Sequence, residues 1–179
     1  YRMYSLKKHY TDEPLPLMML GDVETPKLDG ASLSLRYVDG GFDSAVTRGD
    51  GQYGEDVTHL FTVDNLNKLG IPLEVSFKGA YQVTGELVAP IDTPNSRNYE
   101  AGSINLKDPW EFWSKEVDFF AYGVRPYIKE YYLEELEVLK GNKFRIVTDE
   151  ETKYYPKDGV VYRMSVNKLF EAQGYTSKH

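Results

Sequence analysis

The tetrad Lys27-Leu28-Asp29-Gly30 constrains this chain more than any other stretch. It lies between a turn signal, Glu24-Thr25-Pro26, and a segment from Ala31 to Tyr37 whose alternation reads as a strand. Asp29-Gly30 supports a tight turn, and a glycine there lets the main chain approach a ligand closely. A lysine at the mouth of such a turn is placed to reach a phosphate. Taken alone, the tetrad also reads as a surface lysine ahead of a hairpin, so the other segments must decide.

Composition narrows the choice. A chain of 179 residues forms one domain of ordinary size, with enough length for a real core. The net charge of −7, from 21 basic and 28 acidic side chains, argues against this chain gripping a DNA duplex by itself, because phosphate backbones need clustered Lys and Arg. With no cysteine, disulfide frameworks and thiolate metal sites are excluded. Fifteen tyrosines supply core aromatics and candidate stacking surfaces. No apolar run approaches transmembrane length and no signal peptide is visible, so a cytoplasmic protein without a membrane partner is the default expectation.

Along the chain, residues 1–26 read as irregular, broken by Pro14 and Pro16, with Met18-Met19-Leu20 as core. A hairpin is expected from 31–38 and 42–48 around Asp39-Gly40-Gly41, and a second from 72–77 and 80–89 around Lys78-Gly79. Helices are expected from Glu55 to Leu66, from Asn98 to Leu106 and from Ile128 to Leu139, and a last turn over 167–173. Val117–Val124, Phe144–Val147 and Gly159–Met164 read as strands, the last two joined by a charged loop over 149–157. On 80–89, Val83, Gly85 and Leu87 alternate with Thr84, Glu86 and Val88, so the two sets face opposite ways. Strands outnumber helices and sit in hairpins, which favours an α+β fold of antiparallel sheets flanked by helices.

The tetrad is followed, in order, by a series of further motifs. Thr47-Arg48-Gly49-Asp50-Gly51-Gln52-Tyr53-Gly54-Glu55-Asp56-Val57-Thr58 comes first, then Gly85-Glu86-Leu87-Val88. Ser96-Arg97-Asn98 with Ala101-Gly102-Ser103 comes next, then Phe119-Phe120-Ala121-Tyr122-Gly123-Val124, and finally Asp158-Gly159-Val160-Val161-Tyr162-Arg163. This series resembles the adenylation, or nucleotidyltransferase, domain of NAD-dependent DNA ligases, from Met3-Tyr4-Ser5-Leu6 to Tyr175. The twelve-residue block at Thr47 is its most specific part.

The resemblance implies adenylyl transfer in the service of DNA replication and repair. Lys27 would attack the α-phosphate of NAD and form a covalent lysyl-AMP, with nicotinamide mononucleotide (NMN) leaving and Mg2+ assisting. A lysine amine attacks only when neutral, so desolvation or nearby positive charge must favour that form; Arg48 and Arg163 would supply the charge and neutralise the phosphate. The family further implies that Asp29 shapes the nucleotide pocket and that Arg48 lies on the phosphate and ribose side. Glu86 would contact ribose and help place the metal, with Asp158 as a second metal carboxylate. Tyr122 would stack on one face of adenine and Val161 cover the other, while Ser5-Leu6 lines the adenine site and Glu24 and Arg97 contribute to the pocket. Without the resemblance, Glu86 reads as a solvated strand residue, Tyr122 as core and Arg97 as a surface cap or pair.

This chain departs from the family pattern at several points. Arg163 stands where family members carry lysine, Thr25 where glutamate is common, and Asn105 where a second arginine is expected. The helical stretch before the lysine is nearly absent, which marks a trimmed member; from compactness alone, a virus-encoded one is expected. A chain that begins at Tyr1 is expected to be a fragment, residues 1–179 forming the adenylation core. The NMN-binding module would precede it, and the last lysine motif and an OB-fold would follow, in the same polypeptide or as a separate subunit. Nicked DNA would be held through those parts. The competing readings are an ATP- or GTP-using nucleotidyltransferase, such as an RNA ligase or capping enzyme, and a non-catalytic adenylate-binding subunit of a split ligase; the block at 47–58 argues for the NAD-dependent group.

Overall fold

The computed structural model describes residues 7–9, 23–47, 54–94, 99, 102–167 and 176–178. Two four-stranded sheets carry the fold. One holds β1 (Lys7–His9), β8 (Thr176–Lys178), β7 (Lys157–Arg163) and β2 (Val23–Leu28), in that order; the other holds β4 (Gly41–Thr47), β3 (Ala31–Val38), β5 (Ala80–Val88) and β6 (Asp118–Arg125). Among the described residues, the pairings between these strands are antiparallel except that of β1 with β8. With helices α1 (Val63–Leu69), α2 (Pro109–Trp113) and α3 (Tyr132–Gly141) around the sheets, the α+β expectation holds.

The first hairpin forms as its turn residues require. Asp39 and Gly40 adopt positive φ of 49° and 88°, the geometry that twists two adjoining strands together. Leu33, Leu35 and Tyr37 of β3 and Val83 and Leu87 of β5 are fully buried, so one face of this sheet is core.

Five sequence expectations are corrected. Residues 23–26 belong to β2 instead of an irregular lead-in; Pro26 is tolerated because β2 is an edge strand, where a missing N–H costs little. The helix expected from Glu55 starts at Val63, because Asp56 bridges to Val46 and the Thr62 hydroxyl caps the helix by accepting from the Asn65 amide. The second hairpin does not form. Residues 72–75 instead bond across to the first turn, through Phe42 N to Leu73 O and Val75 N to Gly40 O, while β5 pairs with β3 and β6. The 149–157 loop contains a 3-10 helix at Glu150–Tyr154, and 144–147 forms no strand: its backbone pairs with β6 through the single Ala121–Ile146 bridge, and the Arg145 guanidinium adds an ion pair to Asp118 of β6. No helix among the described residues is long and apolar enough to cross a membrane.

Candidate active site

Strand register fixes which side chains accompany Lys27. Along β2 and β7, Val23 pairs with Arg163, Thr25 with Val161 and Lys27 with Gly159. Directly paired residues share a face, so Thr25, Lys27, Val161 and Arg163 look to one side of the sheet. Glu24 pairs with Tyr162 and is exposed on the other side. The expectation that Glu24 lines the pocket is thereby corrected: one step along a strand reverses the side chain. Thr25, 3% exposed, occupies the place beside Lys27. Its signal in the sequence was the two-residue spacing to Lys27.

Two β-bulges aim side chains that the sequence had singled out. The ladder steps from Lys27–Gly159 to Leu28–Lys157, which leaves Asp158 as the extra residue. Its Oδ1 stands 3.9 Å from Lys27 Nζ, with the side chains 33% and 16% exposed. On β6 the pairing steps from Gly85–Ala121 to Thr84–Gly123, so Tyr122 is the extra residue. A bulge kinks its strand and redirects a side chain, which is why bulges recur beside active sites.

Glu86 lies on the face of β5 opposite to Val83 and Leu87, as the alternation requires. It pairs with Ser32 on one side and Phe120 on the other, and Ser32 Oγ donates to its Oε2 at 3.3 Å. The Phe120 ring packs against Tyr155 at 5.1 Å between centroids, so this face is turned toward the segment entering β7. The two sheets also join at the corner Asp29-Gly30, between β2 and β3. The Asp29 amide donates to the Pro156 carbonyl at 2.9 Å. A Cβ on Gly30 would stand 2.2 Å from the Leu87 carbonyl oxygen, so only glycine permits this approach.

Arg163 is 6% exposed. Its guanidinium carbon lies 3.7 Å from the centroid of the Tyr132 ring, and its Nη2 donates to Asn167 Oδ1. The Tyr132 hydroxyl donates to the Tyr122 carbonyl at 2.5 Å. Asn167 Nδ2 and the Ile128 amide, each at 3.2 Å, donate to Glu135 Oε2. Burial pushes the Glu135 carboxyl up to about 7 and the Tyr132 hydroxyl above its ordinary range, and presses Arg163 below the usual arginine value.

A family profile described as the NAD-dependent DNA ligase adenylation domain matches residues 2–152. The chain belongs to this family. The DNA ligase of Flavobacterium psychrophilum is 29% identical, the match covering 99% of this chain and 34% of that protein. The DNA ligase of Koribacter versatilis is 32% identical, covering 85% of this chain and 29% of that protein. The chain thus spans about a third of the length of these curated relatives. A Naegleria gruberi RNA ligase mutant with ATP and Mn shows a looser structural likeness, with TM-score 0.39 and 15% identity over 83% of this chain and 50% of that one.

Within the adenylation-domain reading, Ser5, Leu6, Arg48 and Arg97 lie outside the described residues. So do Met18–Leu20 and 168–173. The block at Thr47 is described at Thr47 and 54–58, where it folds back on β4: the Thr47 amide donates to the Glu55 carbonyl at 2.9 Å.

Proposed function

We propose that this chain performs the adenylyl-transfer step of an NAD-dependent DNA ligase. Lys27 Nζ, once deprotonated, attacks the α-phosphorus on the AMP side of NAD. The N–P bond forms as the phosphoanhydride P–O bond breaks, and nicotinamide mononucleotide departs with the bridging oxygen. The observation that carries this reading is the placement of Lys27: on a shared face with Thr25 and Val161, beside the bulged Asp158, and one corner from β3, whose Ser32 bonds Glu86 of the neighbouring β5.

The remaining residues divide the labour. Tyr122 and Val161 enclose adenine, gaining burial and stacking together. Glu86, oriented by Ser32, contacts ribose. Asp29 holds the corner that presents Lys27. Outside the described residues, Arg48 takes the phosphate, and Ser5, Leu6 and Arg97 complete the pocket.

Among the described residues no three His, Cys, Asp or Glu side chains cluster as a metal cage. Mg2+ commonly takes one or two carboxylates and fills its remaining positions with phosphate oxygens and water, so Glu86 and Asp158 together with the substrate suit it. Bound there, it would supply charge neutralisation at the phosphate. Sealing of nicked DNA, in replication or repair, would draw on the further domains that the longer relatives possess.

Incubation with radiolabelled NAD or ATP, followed by a denaturing gel, tests the reading. Label from NAD that is lost in Lys27→Ala supports it. Label from ATP alone would move the chain to the ATP-using nucleotidyltransferases, and label persisting in Lys27→Ala would overturn the assignment of the nucleophile.

A further inference from the structure

Arg163 shares the face of Lys27 but lies four positions further along β7 than Gly159, the partner of Lys27. At strand spacing that is about 13 Å. The guanidinium is not presented as an open anion site. One of its faces is covered by the Tyr132 ring and an edge is bonded to Asn167, in a side chain almost wholly buried. A planar cation stacks on an aromatic face in this way; a lysine ammonium has no plane to offer.

The Tyr132 ring continues the connection. Its hydroxyl donates to the carbonyl of Tyr122, the extra residue of the β6 bulge. At a bulge the ladder is locally broken, so the backbone conformation depends on contacts from outside the sheet. Helix α3, which begins at Tyr132, is anchored to the strand that ends at Arg163: the Tyr132 amide donates to the Ser165 carbonyl at 2.8 Å, and Asn167 bonds both Arg163 and Glu135.

We infer that Arg163 is a positioning residue for adenine rather than a phosphate ligand, acting through Tyr132 to hold the bulge that aims the Tyr122 ring. The inference rests on the reading of Tyr122 as the adenine platform given above. It explains why arginine, and not lysine, suits this position in this chain.

Adenosine and AMP separate the two roles, because only AMP carries a phosphate. Both would be titrated by calorimetry against the wild type, Tyr132→Phe, Arg163→Lys and Tyr122→Ala, with quenching of 1,N6-ethenoadenosine as the spectroscopic readout of stacking. Tyr132→Phe keeps the ring under Arg163 and removes the hydroxyl, with its bond to the Tyr122 carbonyl and its polar contact with Arg163, so both affinities are expected to fall by the same factor, about 3- to 10-fold, with weaker quenching. Arg163→Lys is expected to lower both affinities in parallel. In a Tyr122→Ala background, Tyr132→Phe is expected to cost nothing further, which a general loosening of the fold would not reproduce.

A loss confined to AMP in Arg163→Lys would make Arg163 a phosphate ligand and overturn the inference. So would unchanged affinities and quenching in Tyr132→Phe, the variant that keeps the core filled. If the wild type binds both ligands and Tyr122→Ala binds them equally well, the inference fails while the assignment of Lys27 stands. A wild type that binds neither would remove the adenylate site and the inference together.

Discussion

Asp158 reaches Lys27 because β7 carries one residue more than β2 at that point, bringing a carboxylate oxygen to 3.9 Å from the ammonium nitrogen. In regular pairing, neighbouring residues on β7 would alternate faces and Asp158 would point away from Lys27. Replacing it by asparagine keeps the size and removes the charge. Asp158→Asn is expected to slow lysyl-AMP formation by about 100-fold, the scale on which one electrostatic group in an active site acts, with little change in melting temperature. Single-turnover labelling from NAD measures the rate.

Lys27→Ala is expected to abolish covalent AMP attachment and leave the fold intact. The side chain is part-exposed at the end of an edge strand, and its removal opens no core cavity. Intact-mass spectrometry after incubation with NAD reads the adduct, and circular dichroism reads the fold.

Gly30→Ala is expected to destabilise the protein through the sheet corner. The added methyl would meet the Leu87 carbonyl oxygen at 2.2 Å and Val88 Cγ1 at 2.7 Å, and the first of these is backbone that cannot swing aside. Overpacking of this kind costs about 1–3 kcal/mol. At about 2–4 °C per kcal/mol for a chain of this size, the lowered melting temperature is readily measured by calorimetry.

Stability should fall as pH rises toward neutrality, because of Glu135. Its folded value of about 7 lies above the ordinary 4.5, so the folded protein holds a proton that the unfolded chain releases more easily. The contribution is complete below 4.5 and is lost as pH rises through 7. With one pH unit worth about 1.4 kcal/mol, it amounts to about 3 kcal/mol across that window. Arg163 and Arg125 face the carboxyl and pull in the other direction, which the value of about 7 already includes. Glu135→Gln is expected to flatten this part of the stability profile. Urea unfolding at pH 5, 6, 7 and 8 tests it, and an unchanged slope would contradict the assignment.

Elements whose determinants are local were legible in the sequence. Asp39-Gly40 specifies its own turn, and the alternation along 80–89 correctly put Glu86 opposite Val83 and Leu87. What escaped depends on partners far along the chain. Residues 23–26 form a strand only because residues 160–163 lie beside them, and that register, absent from local composition, decides between Thr25 and Glu24. The bulges at Tyr122 and Asp158 are one-residue mismatches between two strands, a property of neither strand alone. The motif order identified Arg163 as a site residue, but its cover of Tyr132 and Asn167 comes from α3 and the chain beyond β7.

The Asp29-Gly30 corner is a tether between the two sheets. From Lys27 to Ser32, whose hydroxyl holds Glu86, the main chain has only five residue steps, about 17 Å when fully drawn out. A link that short, with Gly30 set against the Leu87 backbone, ties the strand of the lysine directly to the strand whose hydroxyl orients Glu86.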